Sequence, residues 1–235
     1  MIVYGRNPVH ELLRGRRAHT VQEVWATARA AREPWLGRRA QIVDPDQIEQ
    51  RCGSTAHQGV CASAGGYPYV GVEELLQGAE PLLLALDQVQ DPQNLGAVCR
   101  TAECTGFDGV IIPERRSAEI TPAACKASAG AVEHLRVARV VNLSAFLARA
   151  QQAGCWCYGA AADGELAYDE VDYRGGVVLV LGGEGSGLRR RVAGACDARV
   201  RLPMAGRVRS LNVSAAASAL MYEILQRRPG VDRTP

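Results

Sequence analysis

Val177-Val178-Leu179-Val180-Leu181 runs into Gly182-Gly183-Glu184-Gly185-Ser186-Gly187. Further on, Leu202-Pro203-Met204-Ala205-Gly206-Arg207-Val208-Arg209-Ser210-Leu211-Asn212-Val213-Ser214 opens a long apolar helix pattern. Strand, glycine loop, strand, polar loop, helix is the order in which an α/β sheet builds a ligand crevice at its strand ends. Glu184 stands where a phosphate-cradling loop needs bare N–H groups and no negative charge, which argues against a pyrophosphate site. The Gly183-x-Gly185-x-Gly187 spacing also departs from G-x-G-x-x-G and comes late in the chain, which argues against a nucleotide-dependent oxidoreductase. Both loops are expected to end adjacent buried strands.

Working outward, the stretch from residue 81 alternates regularly. Leu82–Leu86 reads as a buried strand, and Asp91-Pro92 opens a helix with Leu95, Val98 and Ala102 at helical spacing and Gly106 as its stop. Gly109–Ile112 is a strand, Thr121-Pro122 caps a helix, Val137–Val141 is a strand, and a helix after Ser144 ends at Gly154. Cys155–Ala160, Val177–Leu181 and Arg199–Leu202 complete the strands, and Asn212–Arg227 forms the last helix. This alternation predicts a mainly parallel sheet covered on both faces. Before it, Ile2–Tyr4, Val21–Trp25, Gln41–Val43 and Gly59–Ala62 alternate with helix-like Pro8–Arg14 and Asp46–Arg51, giving a small α/β module. Asp44-Pro45 is a helix start. A composition break from Ala64-Gly65-Gly66-Tyr67-Pro68 through Gly78-Ala79-Glu80-Pro81 divides the chain into residues 1–70, a linker at 71–80, and residues 81–235.

With 235 residues and 47% hydrophobic content the chain can bury a sizeable core. No apolar run approaches the roughly 18 residues of a membrane span, and Met1–His10 has no signal-peptide core, so a cytoplasmic protein without membrane contact is expected. The eight cysteines are scattered without a C-x-x-C pair, so no metal is expected. Cys155 and Cys157, two apart in a strand, would share one sheet face as small apolar groups. Net charge is only +2, but arginines crowd two regions: residues 1–43, and Arg189-Arg190-Arg191 with Arg199, Arg201, Arg207 and Arg209. Both fit a polyanion partner. Lys126 is the single lysine, so codon bias with solvated surface arginines accounts for the same excess.

Three polar clusters lie just beyond apolar strands. In Asp91-Pro92-Gln93-Asn94-Leu95-Gly96-Ala97-Val98-Cys99-Arg100, Asn94 is in the first helical turn and Arg100 nearly two turns along, on roughly one side. The second cluster is the Glu184 loop. The third holds Ser210 and Asn212 at a helix start, where capping alone would also place such residues. Three such groups at strand ends of one sheet point to a shared site.

Asp91–Arg100, Leu181–Leu188 and Leu202–Ser214 resemble, in order and spacing, the three motifs of the SpoU/TrmH family of RNA ribose 2′-O-methyltransferases in the SPOUT superfamily, over residues 82–228. Tyr4-Gly5-Arg6-Asn7-Pro8-Val9-His10-Glu11-Leu12-Leu13 and His57-Gln58-Gly59-Val60 are similar to the N-terminal RNA-binding extension of some members, itself ribosomal-protein-like. The 23S rRNA guanosine enzymes are the subgroup most resembled; tRNA 2′-O-methyltransferases share the motifs, and a non-catalytic RNA-binding or ribosome assembly factor could use the same scaffold. The resemblance implies S-adenosylmethionine as methyl donor, a C-terminal trefoil knot and a homodimer. It implies cofactor contacts at Gly182, Leu202 and Leu211, with Gly183, Gly187 and Met204 beside them. It also implies a catalytic set of Asn94, Arg100, Glu184, Ser210 and Asn212. RNA contacts are expected from Arg6, Asn7, His10, Arg16 and Arg17. A guanidinium is a poor base, so Arg100 is expected to hold phosphate and stabilise a developing alkoxide instead.

Overall fold

A computed structural model describes residues 1–183, 185 and 187–228. Glu184, one of the expected catalytic residues, lies outside them. The N-terminal part forms a four-stranded sheet from β1 (Ile2–Tyr4), β2 (Glu23–Ala26), β3 (Ala40–Ile42) and β4 (Val60–Ser63), in the order β1-β4-β2-β3. Only β2 and β3 are parallel; β4 is antiparallel to both of its neighbours. Helix α1 (Arg6–Leu12) follows β1, and α2 (Pro45–Cys52) precedes β4. Asp44 starts α2 through a capping box with Gln47, with Pro45 in its first turn. The arginine-rich stretch between β2 and β3 is shaped by two short 3-10 turns that bury Ala30 and Leu36.

The segment expected to be a linker, residues 71–80, contains a short helix. Val72–Leu76 forms α3, with Val72 and Leu75 buried, and Val70 bridges Ala138. Five residues beside Gly71 and Gly78 carry too few apolar positions to show helical periodicity in sequence, but two of them suffice to pin the turn onto the sheet.

The second part is a seven-stranded sheet in which every pairing is parallel. Its strands are β5 (Leu82–Asp87), β6 (Gly109–Pro113), β7 (Arg136–Val140), β8 (Cys155–Ala160), β9 (Leu166–Ala167), β10 (Gly176–Gly182) and β11 (Ala198–Arg201). They are ordered β7-β6-β5-β10-β8-β11-β9. Helices α4 (Pro92–Cys104), α5 (Pro122–Ala127), α6 (Leu143–Gln152), α7 (Arg190–Ala193) and α8 (Val213–Arg227) complete it. Short β9 and α7 carry no pattern that foretold them.

The sheet is buried on both faces, which is why its central strands read as continuous apolar runs. Leu82, Leu84 and Leu86 of β5, with Val177, Leu179 and Leu181 of β10, join one core with Leu95 and Val98 of α4 and Leu220 and Ile224 of α8. Leu83, Ala85, Val178 and Val180 join the other with Leu143, Phe146 and Leu147 of α6. Cys155 and Cys157 pack into that second core, while Trp156 between them faces the opposite side, 55% exposed. Helix starts follow the side chains: Asp91 accepts from the Gln93 N–H at 2.9 Å, Thr121 from Ala124 at 3.4 Å, and Asn142 from Ala145 at 3.2 Å.

The two parts share their interior. Val3, Val9, Leu12, Val24 and Val60 belong to the same apolar cluster as β5 and α4. Arg17, expected to contact RNA, lies in this seam with only 1% of its surface exposed. Its Nε and Nη2 donate to the two oxygens of buried Glu133, each at 2.7 Å, and Nη1 donates to the Gly65 carbonyl at 2.7 Å. With its donors turned inward onto a carboxylate, Arg17 has no guanidinium edge to offer a phosphate, and the expectation is corrected. Tyr67 closes the seam by donating to the Val132 and Leu135 carbonyls at 3.1 and 2.7 Å.

Candidate active site

Gly182 ends β10 paired with Asp87, the last residue of β5. The chain turns back so tightly that a Cβ at Gly182 would lie 2.1 Å from the Gly187 carbonyl carbon and 2.4 Å from the Leu188 nitrogen. Only glycine fits such an approach. Gly187 closes the turn at φ +61° and donates its N–H to the Gly183 carbonyl at 3.2 Å.

Asp87 anchors both ends of the loop. Its carbonyl accepts the Gly183 N–H at 2.8 Å, and its fully buried carboxylate accepts the Arg189 backbone N–H at 2.9 Å and Arg189 Nε at 2.7 Å. A buried carboxylate is tolerable here because a guanidinium and a backbone donor both meet it. Arg189 is thus the far post of the glycine loop, a role its place in a run of three arginines did not distinguish in sequence.

The loop forms one wall of a pocket of ≈ 330 Å³, within the range of small-molecule sites. The six residues expected to contact a cofactor, Gly182, Gly183, Gly187, Leu202, Met204 and Leu211, all line it, and so does Ser210. The two loops were expected to end adjacent strands, but β8 lies between β10 and β11. Ala160, at its end, with Ala161 and Ala162 contributes lining that sequence reading missed, since small residues after a strand carry no chemical signal. Val213, Ala216 and Leu220 of α8 and the single cation Arg209 complete a mostly apolar wall, in which no described residue is acidic.

Beside the pocket a polar chain joins the starts of α4 and α8. Asn212 caps α8, accepting from the Ser214 N–H at 2.8 Å and the Ser214 hydroxyl at 2.6 Å. Its Nδ2 donates to Oδ1 of buried Asn94 at 3.1 Å, and Asn94 Nδ2 donates to Asp91 at 3.2 Å. One turn and more along, Thr101 and Ser218 hydroxyls meet at 3.0 Å. Asn94 and Asn212, 118 residues apart, are therefore one unit. Arg100 is on the exposed face of α4, outside the pocket lining, and no hydrogen bond or ion pair ties its guanidinium to another described residue.

Of the residues expected to touch RNA, Asn7 is exposed and Arg6 pairs with Glu33 at 2.9 Å. His10 packs at a tilt against Trp35 with ring centroids 4.9 Å apart and meets Glu11 at 3.1 Å. Arg16 is exposed, although its Nη1 reaches the Leu135 carbonyl at 3.0 Å. Burial pushes the Cys61 thiol up to about 11 and those of Cys99 and Cys125 to about 12, so they are protonated core groups. No group of three or more His, Cys, Asp or Glu among the described residues could hold a metal ion, and no described helix is long and apolar enough to cross a membrane.

Residues 81–222 match the SpoU rRNA methylase family, and residues 2–70 match the RNA 2′-O ribose methyltransferase substrate-binding family. The chain belongs to the SpoU rRNA methylase family. It is 40% identical over 197 residues, 82% of this chain and 79% of the other, to YacO of Bacillus subtilis, a protein assigned to the TrmH family of tRNA/rRNA methyltransferases. It is 36% identical over 247 residues to an uncharacterized tRNA/rRNA methyltransferase of Synechocystis, covering 99% of this chain and 64% of that protein. Among solved structures, the AdoMet-bound rRNA methyltransferase of Sinorhizobium meliloti superposes with TM-score 0.81 at 25% identity, covering 96% of this chain and 86% of that one. The SpoU methyltransferase AviRb of Streptomyces viridochromogenes, in complex with AdoMet, shares the fold with TM-score 0.82 at 23% identity, covering 97% and 89%.

Proposed function

We propose that this protein transfers a methyl group from S-adenosylmethionine to a ribose 2′-hydroxyl of structured RNA, with 23S rRNA guanosine as the favoured target. The observation that carries the reading is the convergence of the glycine loop, the 202–211 loop and the end of β8 on one pocket, with the Asn94–Asn212 unit at its side. Family membership over both parts of the chain and AdoMet in two solved relatives support it. The pocket suits the cofactor: apolar walls can flank adenine, the glycine loop offers backbone groups at a turn a Cβ would fill, and no described lining residue places a carboxylate against the ligand. The bound cofactor would supply an electrophilic methyl on a sulfonium sulfur.

This chain's own residues would do the positioning. Asn94 and Asn212 would hold the starts of α4 and α8 together beside the pocket, so the end of the 202–211 loop is fixed against α4. Proximity of that kind supplies much of the rate of a bimolecular transfer. Arg100, permanently charged, would hold the phosphate next to the target ribose and stabilise charge growing on its oxygen. Glu184 and Ser210 belong to the same reading, Ser210 from the pocket rim. The C-terminal trefoil knot, built from the two loops and α8, is part of it too.

A homodimer fits the outer face of α8. Ala215, Ala219 and Tyr222 are exposed at helical spacing, and Leu211 just before the helix is 48% exposed. A partner seated there would also lie beside the exposed face of α4 that bears Arg100. Mapping of 2′-O-methyl groups in 23S rRNA and tRNA incubated with the protein and S-adenosylmethionine tests the assignment. A new methyl at a 23S guanosine is the expected result; methylation confined to tRNA would move the target, and none in either RNA, with cofactor bound, would favour a non-catalytic RNA-binding role.

A further inference from the structure

Lys126 is the single lysine in a chain whose 27 lysines and arginines are otherwise all arginine. It stands in the last turn of α5, where that helix packs on β1 across the seam between the two parts. Its Nζ donates to the Gln58 side-chain oxygen at 2.9 Å and lies 6.0 Å from the centre of the Tyr4 ring. The same Gln58 oxygen accepts the Arg6 backbone N–H at 3.1 Å. Gly5, at φ +99°, lies directly beneath the amine: a Cβ there would sit 2.5 Å from Nζ and 3.2 Å from Cδ of Lys126. The ammonium is thus seated against bare backbone, where a side chain at residue 5 would displace it.

The frame around the amine is neutral. Tyr4, Gly5 and Gln58 orient it, and no carboxylate lies within ion-pair distance among the described residues, although the chain has 25 acidic residues. Partial burial lowers its pKa through desolvation without a charged partner to offset the cost. An ammonium has three N–H donors, and Gln58 takes one. Arg6, whose guanidinium pairs with Glu33, and exposed Asn7 follow Gly5 in the chain.

We propose that Lys126, framed by Gln58, Gly5 and Tyr4, is a binding subsite for one backbone phosphate of the substrate RNA, placed across the seam of the two domains. A compact point charge on a neutral frame suits a phosphodiester, and an anion held there touches both domains at once. The RNA is thereby held in a fixed orientation to the pocket. The proposal rests on the RNA-methyltransferase reading above, and names where that substrate is gripped.

The chain has two kinds of amine, Lys126 and the Met1 α-amine, the latter held on the Ala64 carbonyl at 2.6 Å. Acetylation of the full chain with an amine-reactive ester, followed by mass spectrometry, reads each separately. The probes are transcribed 23S rRNA and unmodified bulk tRNA, with retention of each RNA measured in the same samples. With RNA at about ten times its Kd, mass action leaves roughly one site in ten vacant, so labelling of Lys126 should slow about tenfold while Met1 is unchanged. RNA retained with Lys126 labelled at its RNA-free rate overturns the phosphate site and leaves the RNA reading intact. Failure to retain either RNA overturns that reading, and the site with it. Lys126→Met supplies the second measurement: the slope of log K against log salt should fall in magnitude by about 0.7–0.9, one phosphate's worth. An amine that only bolts α5 to β1 would lower the thermal midpoint and leave that slope at the wild-type value, which overturns the proposal.

Discussion

Arg100, proposed above to act in the chemistry, and Arg189, which holds the glycine loop, stand in opposite environments. Arg100 is exposed and tied to no other described residue, so its removal disturbs little structure and tests chemistry alone. Arg100→Ala should lower single-turnover methyl transfer by about 10²–10³ with both ligands saturating, the usual cost of one preorganised donor. Arg100→Lys should recover only part, because an ammonium cannot span a phosphate and a ribose oxygen as a fork does. A rate within about threefold of wild type for Arg100→Ala would leave the residue as surface decoration. Arg189 is instead welded to buried Asp87. Arg189→Met leaves that carboxylate with backbone donation only, and losing a charged hydrogen bond of about 1.5–3 kcal/mol should loosen the glycine loop. Calorimetry is expected to show S-adenosylmethionine affinity reduced about tenfold or more, with RNA affinity near wild type.

Among the elements, α8 has two occupations. Its inner face, Ala217, Leu220, Met221 and Ile224, is core, and its first turn lines the pocket through Val213 and Ala216. Its outer face presents Ala215, Ala219 and Tyr222, the last 47% exposed. Small residues there would let a second helix approach closely around an aromatic anchor. Tyr222→Glu should therefore convert a dimer to a monomer in sedimentation equilibrium at micromolar concentration, without lowering the thermal midpoint of the monomer fold. An unchanged dimer would place the interface elsewhere. The helices were legible because their starts are written in side chains: Asp44-Pro45, Asp91-Pro92 and Thr121-Pro122 each open one. Helix α3 was not, since Val72 and Leu75 become apolar anchors only when β7 supplies a surface to bury them.

At the scale of the whole molecule, the Arg17–Glu133 pair decides how the two domains behave. Both side chains are essentially inaccessible, so removing one strands a buried charge. Arg17→Met should cost about 3–5 kcal/mol in urea unfolding, whereas Arg17→Met combined with Glu133→Leu should recover most of it, since an apolar pair of similar volume replaces a desolvated ion pair at little cost. A single mutant within about 0.5 kcal/mol of wild type, the range of ordinary surface changes, would mean that the seam opens freely to water. The apolar core is continuous across this seam, so the two parts share one packed interior.

By itself the sequence determined the parallel sheet, because strands buried on both faces read as continuous apolar runs, as β5 does up to its terminal Asp87 and β10 does between its terminal glycines. It also determined most of the pocket, because glycine, proline and polar residues at strand ends are local necessities of tight turns: Gly182 has no room for a Cβ whatever else the chain does. Tertiary structure alone decided the rest. That β8 lies between the two loop-bearing strands, bringing Ala160–Ala162 into the site, follows from strand order, which short-range patterning does not encode. That Arg17 is an interior ion pair while neighbouring Arg16 is exposed depends on a carboxylate 116 residues away. Asn94 meets Asn212, and Lys126 meets Gln58 and Gly5, for the same reason: a side chain's chemistry is local, but its partner is chosen by the fold.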